Sequence, residues 1–246
     1  MFDLSGKTAL VTGAGQGVGT GIAEVLKAAG ATVLINDVNP DRAAGAAAEV
    51  GVQALPFDVT DLAAVTAAID SVGPVDILVN NAGIPPSMRP AKFLDMAPEE
   101  WAPYIDVNLT GVFNCTRATL PGMLARGRGR VITISSGAGQ VGLPIGVSIY
   151  GAGKGGGAAF MRHIAIEYAQ QGITANTVSL GLMRRPGESD DGDDAGRAAT
   201  AQMARRVPVG RLGTGADVGF ACVYLASDEA SWITGQTIGL NGGNNF

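Results

Sequence analysis

Short apolar runs rich in β-branched residues recur along the whole chain. They are TALVT (8–12), ATVLIND (31–37), ALPFDV (54–59), DILVNN (76–81), RVITISS (130–136), ITANTVSL (173–180) and QTIGLNG (236–242). Near-continuous runs of this kind suit parallel strands covered on both faces, because neither face is left to water. Between the first two, Val18, Ile22, Val25, Leu26 and Ala29 recur at helical spacing, and Gly30 stands where a helix would end. Residues 8–37 therefore form a βαβ unit. Further helices are predicted near 61–71, 99–126, 150–170 and 216–226. The alternation predicts an α/β fold: an open, doubly wound parallel sheet of about seven strands with helices on both faces.

A chain of 246 residues with no 20–50 residue repeat and no Pro- or Ser-rich linker is expected to form one domain, 1–246. The one break in pattern is 182–206, LMRRPGESDDGDDAGRAATAQMARR, where charge clusters and apolar periodicity fades. It predicts a lid over a site, with a solvated surface loop as the alternative. The net charge of −5 argues against nucleic acid or an anionic membrane as partner. No apolar run reaches eighteen residues and no leader pattern is present, so a soluble, cytoplasmic protein is expected. Cys115 and Cys222 are expected to be buried free thiols, and no metal site is expected.

The first strand runs straight into Thr12-Gly-Ala-Gly-Gln-Gly-Val-Gly19. G-x-G-x-x-G is met in no register, since Val18, Thr20 or Ile22 falls at its third glycine. T-G-x-x-x-G-x-G is met, with Gly13, Gly17 and Gly19. Glycines there allow a tight turn and let backbone N–H groups at a helix N-terminus approach a pyrophosphate. The second strand ends at Asn36-Asp37, 24 positions after Gly13. A carboxylate there accepts hydrogen bonds from adenosine ribose hydroxyls and repels a 2′-phosphate. No basic residue immediately follows Asp37, and Gln16 occupies the place where a phosphate-binding arginine could sit, so NAD is expected rather than NADP. Asp58-Val59 ends the third strand, where a carboxylate meets the adenine amino group or caps the helix beginning near Asp61.

The stretch SIYGAGKGGG (148–157) looks like a second phosphate loop but fails at both ends. The P-loop pattern needs glycine where Ser148 stands and a hydroxyl where Gly155 stands. Instead it reads as a helix start on which Tyr150 and Lys154, at i and i+4, face one way. An ammonium one turn away favours a phenolate and lowers the pKa of an otherwise poor base, as removal of a carbinol proton requires. The glycines cost about 1 kcal/mol each relative to alanine in a helix, so close packing against neighbouring helices or a partner subunit is expected there.

Together these pieces resemble the classical short-chain dehydrogenase/reductase (SDR) family over essentially the whole chain. The matching motifs are TGAGQGVG, Asp37, Asp58-Val59, Asn80-Asn-Ala-Gly83, Asn108 in IDVNLTG, Ser136 in ITISSGAG, Tyr150 and Lys154 in YGAGK, Asn176 in ITANTVS, and ITGQTIGLNGG. The resemblance implies a Rossmann-like fold and NAD as cofactor, bound around Gly13, Gln16, Gly17, Val18, Gly19, Asp37, Asp58, Val59, Asn80, Ala82, Gly83, Tyr150 and Lys154. It implies Tyr150 as acid/base and Lys154 as its tuner and the holder of the nicotinamide ribose. Ser136 steadies the substrate oxygen, in preference to Ser135, and Asn108 holds a water in a proton relay. The substrate implied is a secondary alcohol or ketone. A homotetramer is implied as well.

The pattern breaks after the sixth strand. Leu180 replaces the family's proline, and an arginine stands where a threonine touches the cofactor amide, leaving backbone near Leu182 and Met183 for that contact. Arg184 and Arg185 either serve a negatively charged substrate or pair with Asp190, Asp191, Asp193 and Asp194. Asn241 replaces an aspartate, a change expected to affect packing. The lone histidine, His163, lies 13 residues beyond Tyr150 and is expected to be structural, as are Trp101 and Trp232 as packing residues. Two readings stay open beside the NAD-dependent oxidoreductase: a 3-oxoacyl thioester reductase and a non-catalytic dinucleotide-binding protein.

Overall fold

The computed structural model describes residues 2–84, 88–184 and 194–244. Seven strands form one parallel sheet: β1 (Thr8–Val11), β2 (Thr32–Ile35), β3 (Gln53–Ala54), β4 (Ile77–Asn80), β5 (Gly129–Ser136), β6 (Ile173–Leu180) and β7 (Thr237–Leu240), in the order β3-β2-β1-β4-β5-β6-β7. The helices are α1 (Gly17–Ala28), α2 (Pro40–Val50), α3 (Leu62–Val72), α4 (Ala102–Ile105), α5 (Gly111–Ala125), α6 (Ser148–Tyr168), α7 (Asp194–Ala204) and α8 (Gly215–Ala226). Strand order reverses between β1 and β4, so the crevice beyond their carboxyl ends is where such a sheet binds ligands.

Alternation along each strand builds two cores. Ala9 and Val11 of β1 join Val33, Ile35, Ile77 and Val79 under α1, α2 and α8. Leu10, Leu34, Leu78 and Val131 face the other way, under α3, α5 and α6. Each fully buried Leu or Ile contributes about 1.5–3 kcal/mol. On the first face α1 and α8 cross backbone to backbone: a Cβ on Gly21 would lie 2.7 Å from Gly215 Cα.

Four expectations need correction. The third strand is only two residues long, because the side chain of Asn36 takes over its continuation, donating from Nδ2 to the Leu55 and Phe57 carbonyls at 3.2 and 2.9 Å. Helix α2 escaped the periodic reading because its buried face is made of Ala43, Ala46, Ala47 and Val50, although Asn39 caps it and Gly51 ends it at φ 71°. The single helix expected over 99–126 is instead α4, a π turn over Asp106–Thr110 and α5. The extra residue per turn lets Asn108 turn inward and donate to the Tyr104 carbonyl at 2.8 Å. Trp232 is 97% exposed, so it is not a core packing residue, whereas Trp101 does stack on Phe93 at 5.5 Å.

Of the lid expected over 182–206, residues 185–193 lie outside the described residues, with Arg185, Asp190, Asp191 and Asp193 among them. The remainder includes α7. Cys115 and Cys222 are buried free thiols, pushed up to about 12 by burial.

The glycines of α6 are explained by what presses on it. A Cβ on Gly151 would lie 2.5 Å from the Ala138 carbonyl oxygen, one on Gly153 would lie 2.9 Å from Asn108 Cβ, and one on Gly155 3.1 Å from the Gly139 oxygen. The 3₁₀ turn Gly137–Gly139 and the π turn thus clamp the helix from two sides. Gly45, on the exposed face of α2, has nothing within 4 Å of an added Cβ. Gly45→Ala is therefore expected to stabilise the fold by up to about 1 kcal/mol, while Gly151→Ala and Gly153→Ala cost about 1–3 kcal/mol from overpacking. Chemical denaturation midpoints check the opposite signs.

Candidate active site

The glycine-rich turn joins β1 to α1. Gly13 and Gly17 take positive φ, 60° and 61°, and a Cβ on Gly13 would lie 2.7 Å from Ala82 Cα. Gln16 is the N-cap of α1 and its side chain makes no cap bond, so the first N–H groups of a 12-residue helix are left to a ligand. Unpaired amides backed by the helix dipole form a ready cradle for a pyrophosphate. Val18 is partly buried on the first turn, and Gly19 is packed on the turn itself: a Cβ there would lie 2.6 Å from Ala14 Cα.

Three residues outside the predicted set fix this turn. Thr12 Oγ1 accepts from the Asn81 and Ala82 N–H groups at 3.0 and 3.2 Å. Asn81 Nδ2 donates to the Thr12 and Gly13 carbonyls at 2.8 and 3.0 Å, and Gly13 N–H donates to Asn36 Oδ1 at 3.3 Å. Strands β1, β2 and β4 are thus tied together at their carboxyl ends. The T-G and N-N-A-G motifs contained these residues, but which side chain turns up and which turns down is set by strand register.

Asp37 lies 5% exposed at the end of β2. Its Oδ1 accepts from Asn39 N–H at 2.9 Å and from Arg42 Nε and Nη2 at 3.2 and 2.7 Å. A basic residue thus does reach Asp37, from one turn inside α2. Asp58 is exposed and accepts from Thr60 N–H and Oγ1, both at 2.8 Å, while Asp61 caps α3 itself. Val59 is buried against Gly111, with its carbonyl held by Asn114 Nδ2 at 2.9 Å. Asn80 lies under the crevice, 3% exposed, its Nδ2 3.5 and 3.4 Å from Thr116 and Thr133 Oγ1.

The proposed proton-handling groups converge at the end of β5. Ser136 Oγ lies beside the Tyr150 hydroxyl and accepts from Ala138 N–H at 3.3 Å. Ser135 is buried and donates to the Lys154 carbonyl at 3.2 Å, so it secures α6 and Ser136 is the serine beside the tyrosine. Lys154 Nζ donates to the Ile134 carbonyl at 2.8 Å and lies 6.0 Å from the centroid of the Tyr150 ring. A Cβ at Gly83 would collide with Lys154 Nζ and lie 2.8 Å from Asn108 Oδ1, which is buried without a hydrogen-bond partner. Gly83 is therefore the gap through which the lysine and asparagine face one another.

Burial pushes the Lys154 ammonium down to about 8. Burial also raises the Tyr150 hydroxyl above its ordinary value, with the Ser136 hydrogen bond pulling it the other way. The net direction for Tyr150 is thus set by desolvation and runs against the lowering expected from Lys154.

After β6 the backbone of Leu182 and Arg184 bridges to Gly213, with Gly213 N–H donating to the Leu182 oxygen at 3.0 Å and Arg184 N–H to the Gly213 oxygen at 2.8 Å. Met183 itself takes no part in those two bonds. Leu182 and Met183 also line a cavity of ≈ 150 Å³ with Val207, Val209, Arg211 and Asp217. Arg211 and Asp217 satisfy one another there, at 2.7 Å. His163 is exposed on α6, away from the crevice. No cluster of metal ligands and no helix long and apolar enough to cross a membrane occurs among the described residues.

A family model described as enoyl-(acyl carrier protein) reductase matches residues 13–245. An acetoacetyl-CoA reductase of Rhizobium meliloti is 41% identical over 250 residues, 98% of this chain and 99% of that protein. A 3-oxoacyl-[acyl-carrier protein] reductase with bound NAD from Brucella melitensis superposes with a TM-score of 0.89 at 35% identity, covering 99% of this chain and 93% of its own. A gluconate 5-dehydrogenase from Burkholderia cenocepacia in complex with NADP and tartrate gives 0.86 at 35%, covering 99% and 96%.

The buried ammonium makes stability depend on pH. A cation whose folded value is depressed from 10.5 to about 8 costs stability in full below pH 8. The cost fades as pH rises toward 10.5, because the unfolded chain binds the extra proton in that window. Lys154→Met is therefore expected to raise stability at pH 7 by up to about 3 kcal/mol and to remove this group's rise between pH 8 and 10. Urea denaturation of both proteins across that range checks it.

Proposed function

The chain belongs to the short-chain dehydrogenase/reductase family and is an oxidoreductase, and on that premise we propose that it interconverts a secondary alcohol and a ketone with NAD as cofactor. The observation that carries this reading is the grouping of Ser136 with Tyr150, of Tyr150 with Lys154 at 6.0 Å, and of Lys154 with Asn108 beside Gly83. A non-catalytic dinucleotide-binding protein has no use for an ammonium buried at that cost.

Bound NAD supplies the hydride acceptor in oxidation and, reduced, the donor in reduction. The chain's own residues handle the proton and the oxygen. In oxidation Tyr150, once its own proton has passed to the relay, takes the carbinol proton on the ionised Oη, and in reduction its protonated hydroxyl gives a proton to the ketone oxygen. Ser136 Oγ donates to that oxygen as charge develops on it. Lys154, held by the Ile134 carbonyl, keeps a positive charge under the tyrosine and reaches toward the ribose over Gly83. The unpartnered Oδ1 of Asn108 is placed to hold a water that returns protons to the lysine. At the other end, Gly13, Gln16, Gly17, Val18 and Gly19 frame the pyrophosphate cradle, and Asp37 receives the adenosine ribose. Asp58 has one oxygen outside its turn for the adenine amino group, and Met183 has backbone groups for the carboxamide.

Asp37 supports NAD, and the related structures with NAD and with NADP leave both chemistries within the family's reach. The likeness to an acetoacetyl-CoA reductase favours 3-oxoacyl thioesters as a second, narrower substrate reading, still a ketone reduced by the same groups. Exposed Ile166 on α6, and Phe220 and Trp232 on and near α8, supply apolar surface for the homotetramer we propose, as does the Phe113–Phe160 pair on α5 and α6. A cytoplasmic location accords with that reading.

Absorbance of the reduced nicotinamide, followed with NAD and NADP over secondary alcohols and 3-hydroxyacyl thioesters, tests the assignment. Tyr150→Phe is expected to lower kcat/KM by about 10²–10⁴-fold. Equal rates in variant and wild type would overturn the catalytic role, and a preference for NADP would overturn the cofactor assignment.

A further inference from the structure

The segment from Arg211 to Asp217 touches both ends of the cofactor crevice. At one end Gly213 pairs with the strap after β6, donating to the Leu182 carbonyl at 3.0 Å and accepting from Arg184 N–H at 2.8 Å. In a parallel bridge those two bonds use the groups flanking Met183 and leave its own N–H and carbonyl on the opposite edge. Among the described residues neither group has a hydrogen-bond partner. The bridge is close-packed, since a Cβ on Gly213 would lie 2.6 Å from Met183 Sδ. Two residues later, a Cβ on Gly215 would lie 2.9 Å from Gly21 Cα and 3.1 and 3.2 Å from the Val18 and Gly17 carbonyl oxygens. The start of α8 therefore rests on the first turn of α1, which frames the pyrophosphate cradle.

Asp217 pins this segment. Its Oδ2 accepts from Arg211 Nη1 at 2.7 Å, from Thr214 N–H at 2.8 Å and from Thr214 Oγ1 at 2.9 Å, and its Oδ1 accepts from Arg211 Nη2 at 2.7 Å. Its own N–H donates to Thr214 Oγ1 at 3.3 Å. The Thr214 bonds complete a capping box and suffice to start α8. The bidentate Arg211 fork goes beyond that need: it reaches across Gly213 and closes the loop from which the strap hangs. We propose that Asp217 is a positioning residue for the cofactor: with Arg211 it fixes Gly213, and through Gly213 it holds the free backbone groups of Met183 at a set height relative to the pyrophosphate cradle, for the carboxamide of a nicotinamide. The proposal rests on the dinucleotide reading above and deepens it. Gly215 and Gly219 pack on α1 without help from the carboxylate, a Cβ on Gly219 being placed 2.7 Å from Val25 Cβ. Loss of Asp217 therefore frees the strap and leaves the cradle in place.

Calorimetry without turnover compares three ligands on wild type, Asp217→Ala, Arg211→Gln and Arg211→Lys. They are NAD⁺, its 3-acetylpyridine analogue, which lacks the amide N–H groups, and ADP-ribose, which lacks the nicotinamide ring. NADP⁺ and 2′-phospho-ADP-ribose are run alongside and read in the same way, so the outcome does not depend on which dinucleotide the protein prefers. Asp217→Ala is expected to weaken NAD⁺ about tenfold, as loss of one or two hydrogen bonds does, and to leave ADP-ribose within about twofold. The preference for NAD⁺ over the 3-acetylpyridine analogue falls toward one in the same variant. Arg211→Gln, at a side chain 56% exposed, keeps the Thr214–Asp217 box and shows the same pattern, so it decides the matter if Asp217→Ala does not fold. Arg211→Lys recovers part of the loss. Equal weakening of NAD⁺ and ADP-ribose, which a merely structural role produces, overturns the proposal, and so does an unchanged affinity for NAD⁺. A wild type that binds none of these ligands overturns the dinucleotide reading and the proposal with it.

Discussion

A buried ammonium is the group around which the rest of this molecule is arranged. Lys154 is 5% exposed, and its Nζ bonds the Ile134 carbonyl at 2.8 Å. Desolvating a cation to this degree is costly, and no core-packing purpose requires it. The neighbouring sequence makes sense as what allows it. Small residues at Gly83, Gly139, Gly151, Gly153 and Gly155 let β5, the Gly137–Gly139 turn and the π turn approach α6 closely enough to enclose the lysine. Ser135 ties the helix backbone to β5 at the same level. A helix weakened in its own propensity is thus supported by packing on both sides.

The π turn belongs to the same arrangement. An ordinary α-helix over 99–126 places Asn108 one residue out of phase with the lysine. The extra residue in Asp106–Thr110 turns it inward, where Nδ2 is satisfied by Tyr104 and Oδ1 is left unpartnered beside Gly83. The cofactor end is held by different means. Thr12, Asn36 and Asn81 lock the strand ends, so the N-terminus of α1 is presented at a fixed height above the sheet. Rigid strand ends at one side and a clamped helix at the other give the crevice two fixed walls between which a dinucleotide can lie.

The sheet was legible in the sequence because parallel strands covered on both faces leave long apolar runs; six of the seven runs became strands, while the third, 54–59, shares only Ala54 with the two-residue β3. Tyr150 and Lys154 were legible from their i to i+4 spacing on one helix, and Ser136 from the resemblance to the family. The remainder depended on contacts between segments remote in sequence. Asn36 replacing the ladder of β3, the inward twist at Asn108 and the α1–α8 crossing at Gly21 have no periodic signature. Arg42 escaped because ion pairing from α2 to the end of β2 requires α2 to exist, and its alanine-rich face hid that helix. The direction of the Tyr150 shift was misjudged for a related reason: i to i+4 spacing shows the ammonium's proximity but not the burial that overrides it.

The central claim is that the fold holds Lys154 as a buried ammonium poised to lose its proton near neutrality. The chain has only four lysines, Lys7, Lys27, Lys92 and Lys154, so side-chain NMR of isotopically labelled protein can follow each one, with Lys154→Met assigning the signal. The account predicts that Lys154 titrates near pH 8, well below the ordinary value of 10.5. A Lys154 signal that titrates at or above that ordinary value would contradict it.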